Sequence, residues 1–376
     1  MSYIWQCRDW PHFIYDRERV NLALNRYDSE KSFADRVFSL FSEESRQRFQ
    51  VEAFSEETLC SSRIEGLELN ADSVYSSFSK RFDVDYSGKG LKDPYSAAVS
   101  EVVLDAVLDH SPMDKERICS WNRKLLEDPN HRRQMHISSI GLYRTGPVYV
   151  MSGNAFKGEV PVYEGVPADQ VETEMEKLMA WINADNEKSP VVKSAIASFW
   201  FVSIHPFGDG NGRISRAIAD YLLSKDERSN STFKYFSMSK ALEGNRNLYY
   251  GYLKLLQSQS VSMDITKWIL WYLDTATFAI LEATSEFERT IRLTQIMSSK
   301  MFIELNGRQN NMVYRMLSGG FFGKLTAEKY RKIEKCESAT ATRDLSDLVR
   351  RGILIKSESG GRSTSYHMNQ DLELFV

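Results

Sequence analysis

Cysteine is scarce and scattered. Cys7, Cys60, Cys119 and Cys336 form no CxxC pair and no Cys/His cluster at metal-ligand spacing, which excludes a disulfide scaffold and a zinc module and leaves reduced, structural thiols. Long apolar runs are missing too. Ala195 to Ile204 is too short to cross a bilayer, the stretch from Ile265 to Leu281 is interrupted by Lys267 and Asp274, and the opening MSYIWQCRDW has no signal-peptide core. A cytoplasmic protein with no membrane partner is therefore expected. Neither sign of charge is in excess: the formal net charge is -3, too small for the whole chain to bind nucleic acid by bulk electrostatics. The P-loop signature GxxxxGK[ST] is absent, so any nucleotide chemistry needs another phosphate cradle.

What is present is globular and mostly helical. At 376 residues, with 42% hydrophobic and 26% charged residues, the chain should fold as two or three domains. An aromatic cluster (Tyr3, Trp5, Trp10, Phe13, Tyr15) leads into one helical pattern from about Asp28 to Asn70, and YSGKGLKDP, ending at Pro94, is the strongest loop signal of the first third. Two short extended runs, Val148 to Met151 and Glu159 to Tyr163, flank SGNAFKG and predict a β-hairpin within a helical chain. Helical patterns return at 168–183, 191–204, 214–224 and 246–258, with a long one from about Asp264 to Met301. Residues 310–317, 327–335 and 339–350 read as three short helices, followed by a hairpin around SESGGR. Three helices and a hairpin predict a winged helix-turn-helix.

The chemistry concentrates in HPFGDGNGRISR, residues 205 to 216. It follows a segment so uniformly apolar or small that it must be a buried helix. His205 falls at the end of that helix, Pro206 stops it, and Gly208, Gly210 and Gly212 permit a tight loop whose N–H groups can converge on an anion. A new helix starts at Asn211 with its positive end toward the loop. Arg213 and Arg216 share a helix face and can clamp phosphates. Asp209 offers a hard oxygen to Mg²⁺, and His205 is the general base. Together these predict phosphoryl or nucleotidyl transfer.

The segment resembles the Fic family, whose motif HPFx[D/E]GN[G/K]RxxR is matched at every specified position. The resemblance extends from about Tyr95 to Ser258. It implies AMP transfer from ATP, with Mg²⁺ as cofactor, to a Ser, Thr or Tyr hydroxyl of a target protein. It also implies that His205 deprotonates the hydroxyl, that Asp209 holds Mg²⁺, and that Gly210, Asn211 and Gly212 cradle the α and β phosphates. Arg213 would meet the β-phosphate and Arg216 the γ-phosphate, with Ile214 and Ser215 in the same ATP-binding segment and Phe207 as a core anchor. The hairpin resembles the Fic flap, in which Val148, Tyr149, Val150 and Met151 align the target strand. FSMSKALEGNRNLYYGYL resembles the adenosine-pocket segment, implying that Tyr249, Tyr250 and Gln257 lie near the base or ribose. Other donors known in the family, bearing UMP, phosphate or phosphocholine, stay open.

A second motif lies upstream in SSRIEG. Ser61 and Glu65 are four apart, on one side of a helix that Gly66 ends. They resemble the family's N-terminal inhibitory motif, [S/T]xxx[E][G/N]. By that resemblance Glu65 pairs with Arg216, blocks the γ-phosphate and holds ATP in a non-productive pose. A glutamate there could also position water for removal of AMP.

Between Gln309 and Met368, eleven Lys and Arg face six Asp and Glu. That surplus permits DNA binding by residues 307–376 without requiring it, with Thr340, Thr342 and Arg343 approaching a groove. The expected organisation is a helical regulatory region (1–92), a catalytic Fic domain with its flap (93–262), a helical connector (263–306) and the winged helix (307–376). Expected partners are ATP, a hydroxyl-bearing target protein and a second copy of the chain in a homodimer. The alternative function is a DNA-binding regulator that senses nucleotide.

Overall fold

A computed structural model describes residues 2–86, 88, 92–127, 139–154, 158–225, 234–258, 262–318, 321, 323–357 and 364–369. The fold is mainly helical, and the chain divides into two compact units, Met1–Thr284 and Ser285–Val376. The tip of the expected first hairpin and most of SESGGR lie outside the described residues.

The first unit begins with a 3₁₀ turn (Ile4–Gln6). Two helices follow, α1 (Arg17–Ser39) and α2 (Glu43–Ile64), where the sequence pattern read as one. They part because Ser42 starts afresh: its side chain accepts from the Ser45 N–H, and Glu43 and Glu44 fill the first turn of α2. The next elements are α3 (Ala71–Arg81), α4 (Pro94–Leu108) and α5 (Lys115–Leu126). The strands β1 (Tyr149–Asn154) and β2 (Gly158–Glu164) form an antiparallel pair with a bulge between Val150 and Met151, opposite Pro161. That irregularity is where a strand tolerates a residue without an N–H. Five more helices follow: α6 (Val171–Asn183), α7 (Pro190–Ile204), α8 (Asn211–Leu223), α9 (Met238–Gly244) and α10 (Arg246–Gln257).

Helix α7 is the platform. Ser189 caps it, Pro190 occupies its first turn, and all residues from Val191 to Ile204 are buried. Its aromatic residues Phe199, Trp200 and Phe201 join Trp121, Phe207, Ile214 and Tyr221 in the core, each such burial stabilising by about 1.5–3 kcal/mol. Gly210, with φ +85°, is the last residue of the loop 205–210 and immediately precedes α8, so α7 and α8 pack side by side and present that loop at one end.

Helix α2 differs in kind. Its buried face is mixed: Val51, Phe54 and Leu59 pack in an apolar cluster with Val74, Phe78 and Val103, while Ser55, Glu57, Thr58, Ser61 and Ser62 are also turned inward. Glu57 is 2% exposed and meets the Lys234 ammonium at 3.4 Å, and Lys234 also binds Asp220 of α8. Buried charges are tolerated only when so paired. Burial and the Glu57 charge push Asp220 up to about 7. At the far end of α2, Arg63 pairs with Glu243 of α9 at 2.7 Å.

The four cysteines are free thiols, three of them buried. The aromatic arm at the N-terminus lies on the helical core. The Trp10 indole donates to Glu174, the Tyr15 hydroxyl donates to Glu187, and Ile14 bridges Asp264.

A long helix, α11 (Thr266–Ser298), starts in the first unit and ends in the second. The second unit contains α12 (Lys300–Ile303), α13 (Gly307–Leu317), α14 (Ala327–Glu334), α15 (Ser338–Arg350) and the antiparallel strands β3 (Leu354–Lys356) and β4 (Tyr366–Met368). Its own core gathers Met312, Val313, Tyr330, Leu345 and Leu348, in the order of three helices and a hairpin that the sequence predicts. Among the described residues, no helix is long and apolar enough to cross a membrane.

Candidate functional site

The end of α7 sets the geometry of the site. His205 closes the helix in the left-handed conformation (φ 56°, ψ 59°), so it is the histidine, ahead of Pro206, that ends it. A residue with a Cβ pays about 1–2 kcal/mol for that conformation. His205 Nδ1 lies 3.2 Å from the Val202 carbonyl, an acceptor only, so Nδ1 carries the hydrogen and Nε2 is free to accept one. Burial lowers the imidazole pKa to about 4, with the Arg144 charge adding to the effect against the Val202 hydrogen bond. The ring is therefore a neutral base throughout the physiological range.

The loop is closed by its own side chains. Asn211 accepts from the Phe207 N–H (3.0 Å) and donates to the Phe207 carbonyl (2.8 Å), while Asn122 of α5 donates to the Asp209 carbonyl (2.9 Å). Of the three loop glycines, only Gly210 takes a positive φ. Gly212 serves differently, because a Cβ there would stand 2.2 Å from Glu65 Oε1. The first N–H groups of α8 precede any intrahelical acceptor and form the positive end of the helix.

A cavity of about 570 Å³, the size of a nucleotide pocket, opens beside this loop. His205, Asp209, Asn211 and Gly212 form one wall. Val148, Tyr149, Val150 and Met151 form a second, with Tyr149 and Met151 about half exposed. Tyr249, Tyr250 and Gln257 of α10 form a third. Gln257 donates to Ser203 Oγ at 3.2 Å, and Tyr249 is 4% exposed and packs on Trp268 and Trp271.

Other expected site residues lie elsewhere. Ile214 is in the core, and Ser215 donates to the Ser198 carbonyl. Arg213 is 4% exposed and donates to the Tyr95 hydroxyl (3.1 Å) and the Leu125 carbonyl (3.2 Å). Arg216 is turned to α2: Nε donates to Ser61 Oγ (2.8 Å), and Nη2 donates to the Ser61 carbonyl (2.7 Å) and to Glu65 Oε1 (2.8 Å). The two arginines do share a face, but that face is buried and lines a small cavity with Ser61 and Asp220. Gly66, with φ +77°, follows the last turn of α2.

Glu65 thus reaches the large cavity from α2. Burial raises its pKa, but the Arg216 charge and hydrogen bond outweigh this and leave it lowered, so it is a carboxylate. Its second oxygen lies 3.4 Å from the Tyr250 hydroxyl.

The loop at 205–210 and the flanking hairpin fall within one stretch that matches a known family. Residues 112–223 match the model for the Fic/DOC family. Residues 3–84, which carry α1, α2 and Glu65, match the model for a domain of unknown function, DUF4172. The protein adenylyltransferase Fic of Drosophila erecta is 29% identical over 211 residues, 54% of this chain and 39% of that protein. Its Drosophila yakuba counterpart is 33% identical over 130 residues, 33% of this chain and 23% of that protein. The matches therefore span well under half the length of these curated relatives. A Fic family protein from Desulfovibrio desulfuricans aligns over 94% of this chain and 96% of its own, with a TM-score of 0.54 and 17% identity, a likeness of fold.

For Mg²⁺ the loop at one wall of the cavity offers one carboxylate, Asp209. Asp209 Oδ1 accepts from the Gly210 N–H at 2.6 Å, while Oδ2 accepts no hydrogen bond and has Arg213 Nη2 at 3.7 Å. Among the described residues no cluster of three or more His, Cys, Asp or Glu gathers elsewhere. One carboxylate with an available oxygen fits a cation that shares substrate phosphates.

Sequence reasoning missed Asn122, Arg144 and Arg246 around the Fic loop. Arg246 lines the cavity and stands over the Tyr250 ring at 5.7 Å. None of the three belongs to a local pattern that would single it out.

Proposed function

We propose that the chain is a protein adenylyltransferase, moving AMP from ATP to a Ser, Thr or Tyr hydroxyl of a target protein and of itself, and that Glu65 restrains it. The observation that carries this reading is a neutral histidine with a free Nε2 in one cavity with the positive end of α8 and an available Asp209 oxygen.

In the transfer, the target hydroxyl oxygen bonds to the α-phosphorus, the bond from that phosphorus to the bridging oxygen of pyrophosphate breaks, and the hydroxyl proton passes to His205 Nε2. Asp209 would hold Mg²⁺, which when bound offsets phosphate charge. The N–H groups opening α8 stabilise charge on the phosphate oxygens. The flap edge, with Tyr149 and Met151 half exposed, suits a target segment added as a strand.

Restraint follows from Arg216. Its guanidinium is committed to Ser61 and Glu65, and while so held it does not bind a γ-phosphate. Glu65 also faces the cavity that holds His205, so it can align a water for removal of AMP.

Mass spectrometry of purified Glu65→Gly protein incubated with ATP and Mg²⁺ should find an added AMP, and His205→Ala in that background should lose it. No added mass in Glu65→Gly sinks the reading. Faster loss of AMP from modified protein with wild type than with Glu65→Gly supports removal.

DNA contact is the second reading, favoured by Arg343, Ser346 and Arg350 on an exposed face of α15. A gel shift with and without ATP separates the two.

A further inference from the structure

Arg144 is a buried cation that forms no ion pair among the described residues, although the Glu164 charge acts on it from a distance. It is 6% exposed, and among the described residues no carboxylate lies within ion-pair distance. Its guanidinium donates only to backbone carbonyls: Nε to His205 (2.7 Å), Nη1 to Gly146 (2.8 Å), and Nη2 to Val166 and to Ile204 (3.3 Å). Its own N–H donates to the Pro206 carbonyl at 2.9 Å. Burying an arginine that is not in direct contact with a carboxylate is costly, and burial lowers its pKa.

The acceptors explain its position. Ile204, His205 and Pro206 are the carbonyl-rich end of α7, where a cation suits the helix dipole. Gly146 precedes β1 and Val166 follows β2, so they are the two feet of the flap. Arg144 joins both feet to the peptide on either side of the left-handed His205. Gly165 shows how tight the junction is: a Cβ there would lie 2.8 Å from Arg144 Nη2 and 3.0 Å from the His205 Cβ. Tyr163 of β2 adds a bond to the same helix end, its hydroxyl donating to the Ser203 carbonyl at 2.5 Å.

We propose that Arg144 is a positioning residue that holds His205 in its left-handed conformation and fastens it to the feet of the flap, so that the base and the strand beside the cavity are registered as one body. This rests on His205 being the base of the transfer. The fork geometry is what matters: four carbonyls from two sides of the site converge on one rigid plane, which a lysine cannot satisfy. The charge has a second effect. His205 is faced by Arg144, Glu65 and Asp209, and Arg144 alone of the three disfavours its protonation.

The test uses Arg144→Met and Arg144→Lys in the full chain with Glu65→Gly, where His205→Ala must first abolish labelling. Arg144→Met should lower kcat by about 10²-fold, the scale of a misplaced reacting group, with the KM for ATP within about threefold. In Arg144→Lys, kcat should still fall about tenfold while the His205 titration, followed by NMR of labelled histidine, stays as in the parent. In Arg144→Met that titration should move upward. A kcat within about twofold of the parent in both variants, or an unmoved His205 titration in Arg144→Met, overturns the proposal. Should Arg144→Met fail to fold, the Arg144→Lys rate decides. Should the Glu65→Gly parent show no labelling, the transfer reading fails, while the NMR titration still tests the positioning.

Discussion

The segments 205–216 and 61–66 face the same cavity but are held in place by different means. The first draws much of its support from its own residues: Asn211 bridges Phe207 in both directions, His205 and Gly210 take positive φ at the two ends of its loop, and the apolar α7 fixes where it begins, with Asn122 and Arg144 bonding its carbonyls from outside. The second is seated from outside, through Glu57 with Lys234 and Asp220, Arg63 with Glu243, and Ser61 with Arg216. A segment seated by long-range polar contacts can be unseated without dismantling what lies beneath it. That is the physical requirement for a restraint that can be released.

The difference can be broken most strongly at Lys234. Lys234→Met leaves Glu57 and Asp220 buried together without a cation, and urea denaturation should report a loss of about 3–5 kcal/mol. Less than about 1 kcal/mol would mean that charge does not seat α2. Glu65→Gly removes the one carboxylate that Arg216 pairs with among the described residues and leaves the loop untouched, and ATP-dependent labelling should rise about tenfold or more, equivalent to ~1.4 kcal/mol. Ser61→Ala removes one acceptor of Arg216 and keeps the others, so labelling should rise only severalfold, the equivalent of about 1 kcal/mol. An increase equal to that of Glu65→Gly would show the two contacts acting as a single latch.

The smallest expected effect concerns pH. Burial lowers His205 to about 4 from an ordinary value near 6.5. Its neutral form therefore contributes stability above about 6.5 that is lost as pH falls through about 4. For the same reason kcat/KM of Glu65→Gly should be nearly flat from about pH 7 to about pH 5 as far as this group is concerned. An acid limb centred near 6.5 would return His205 to an ordinary, solvated ring.

What sequence could disclose follows the same division. The loop was legible because its parts are local: an apolar helix, a histidine at its end, glycines, and an asparagine opening the next helix. The hairpin and the three terminal helices were legible through periodicity and turn residues. The pairing of Glu65 with Arg216 was accessible only through resemblance, because nothing in either segment names its partner. Arg144, Asn122 and Lys234 escaped because each acts on groups far away in sequence. The break between α1 and α2 escaped because the apolar pattern runs on across Ser42. For Arg213, helical spacing gives a shared face with Arg216, but not whether that face is open or covered by α2.

Gly212 adds a steric side to the arrangement. The volume its missing side chain would fill is taken by the Glu65 carboxylate, 2.2 Å from an ideal Cβ position. That carboxylate is the mobile end of a long side chain, whereas the α8 backbone is held on all sides. One methyl group added to α8 would therefore eject a carboxylate belonging to another helix. Notch and plug exclude one another by volume, and filling the notch from within is a way of opening the cleft by adding atoms to it.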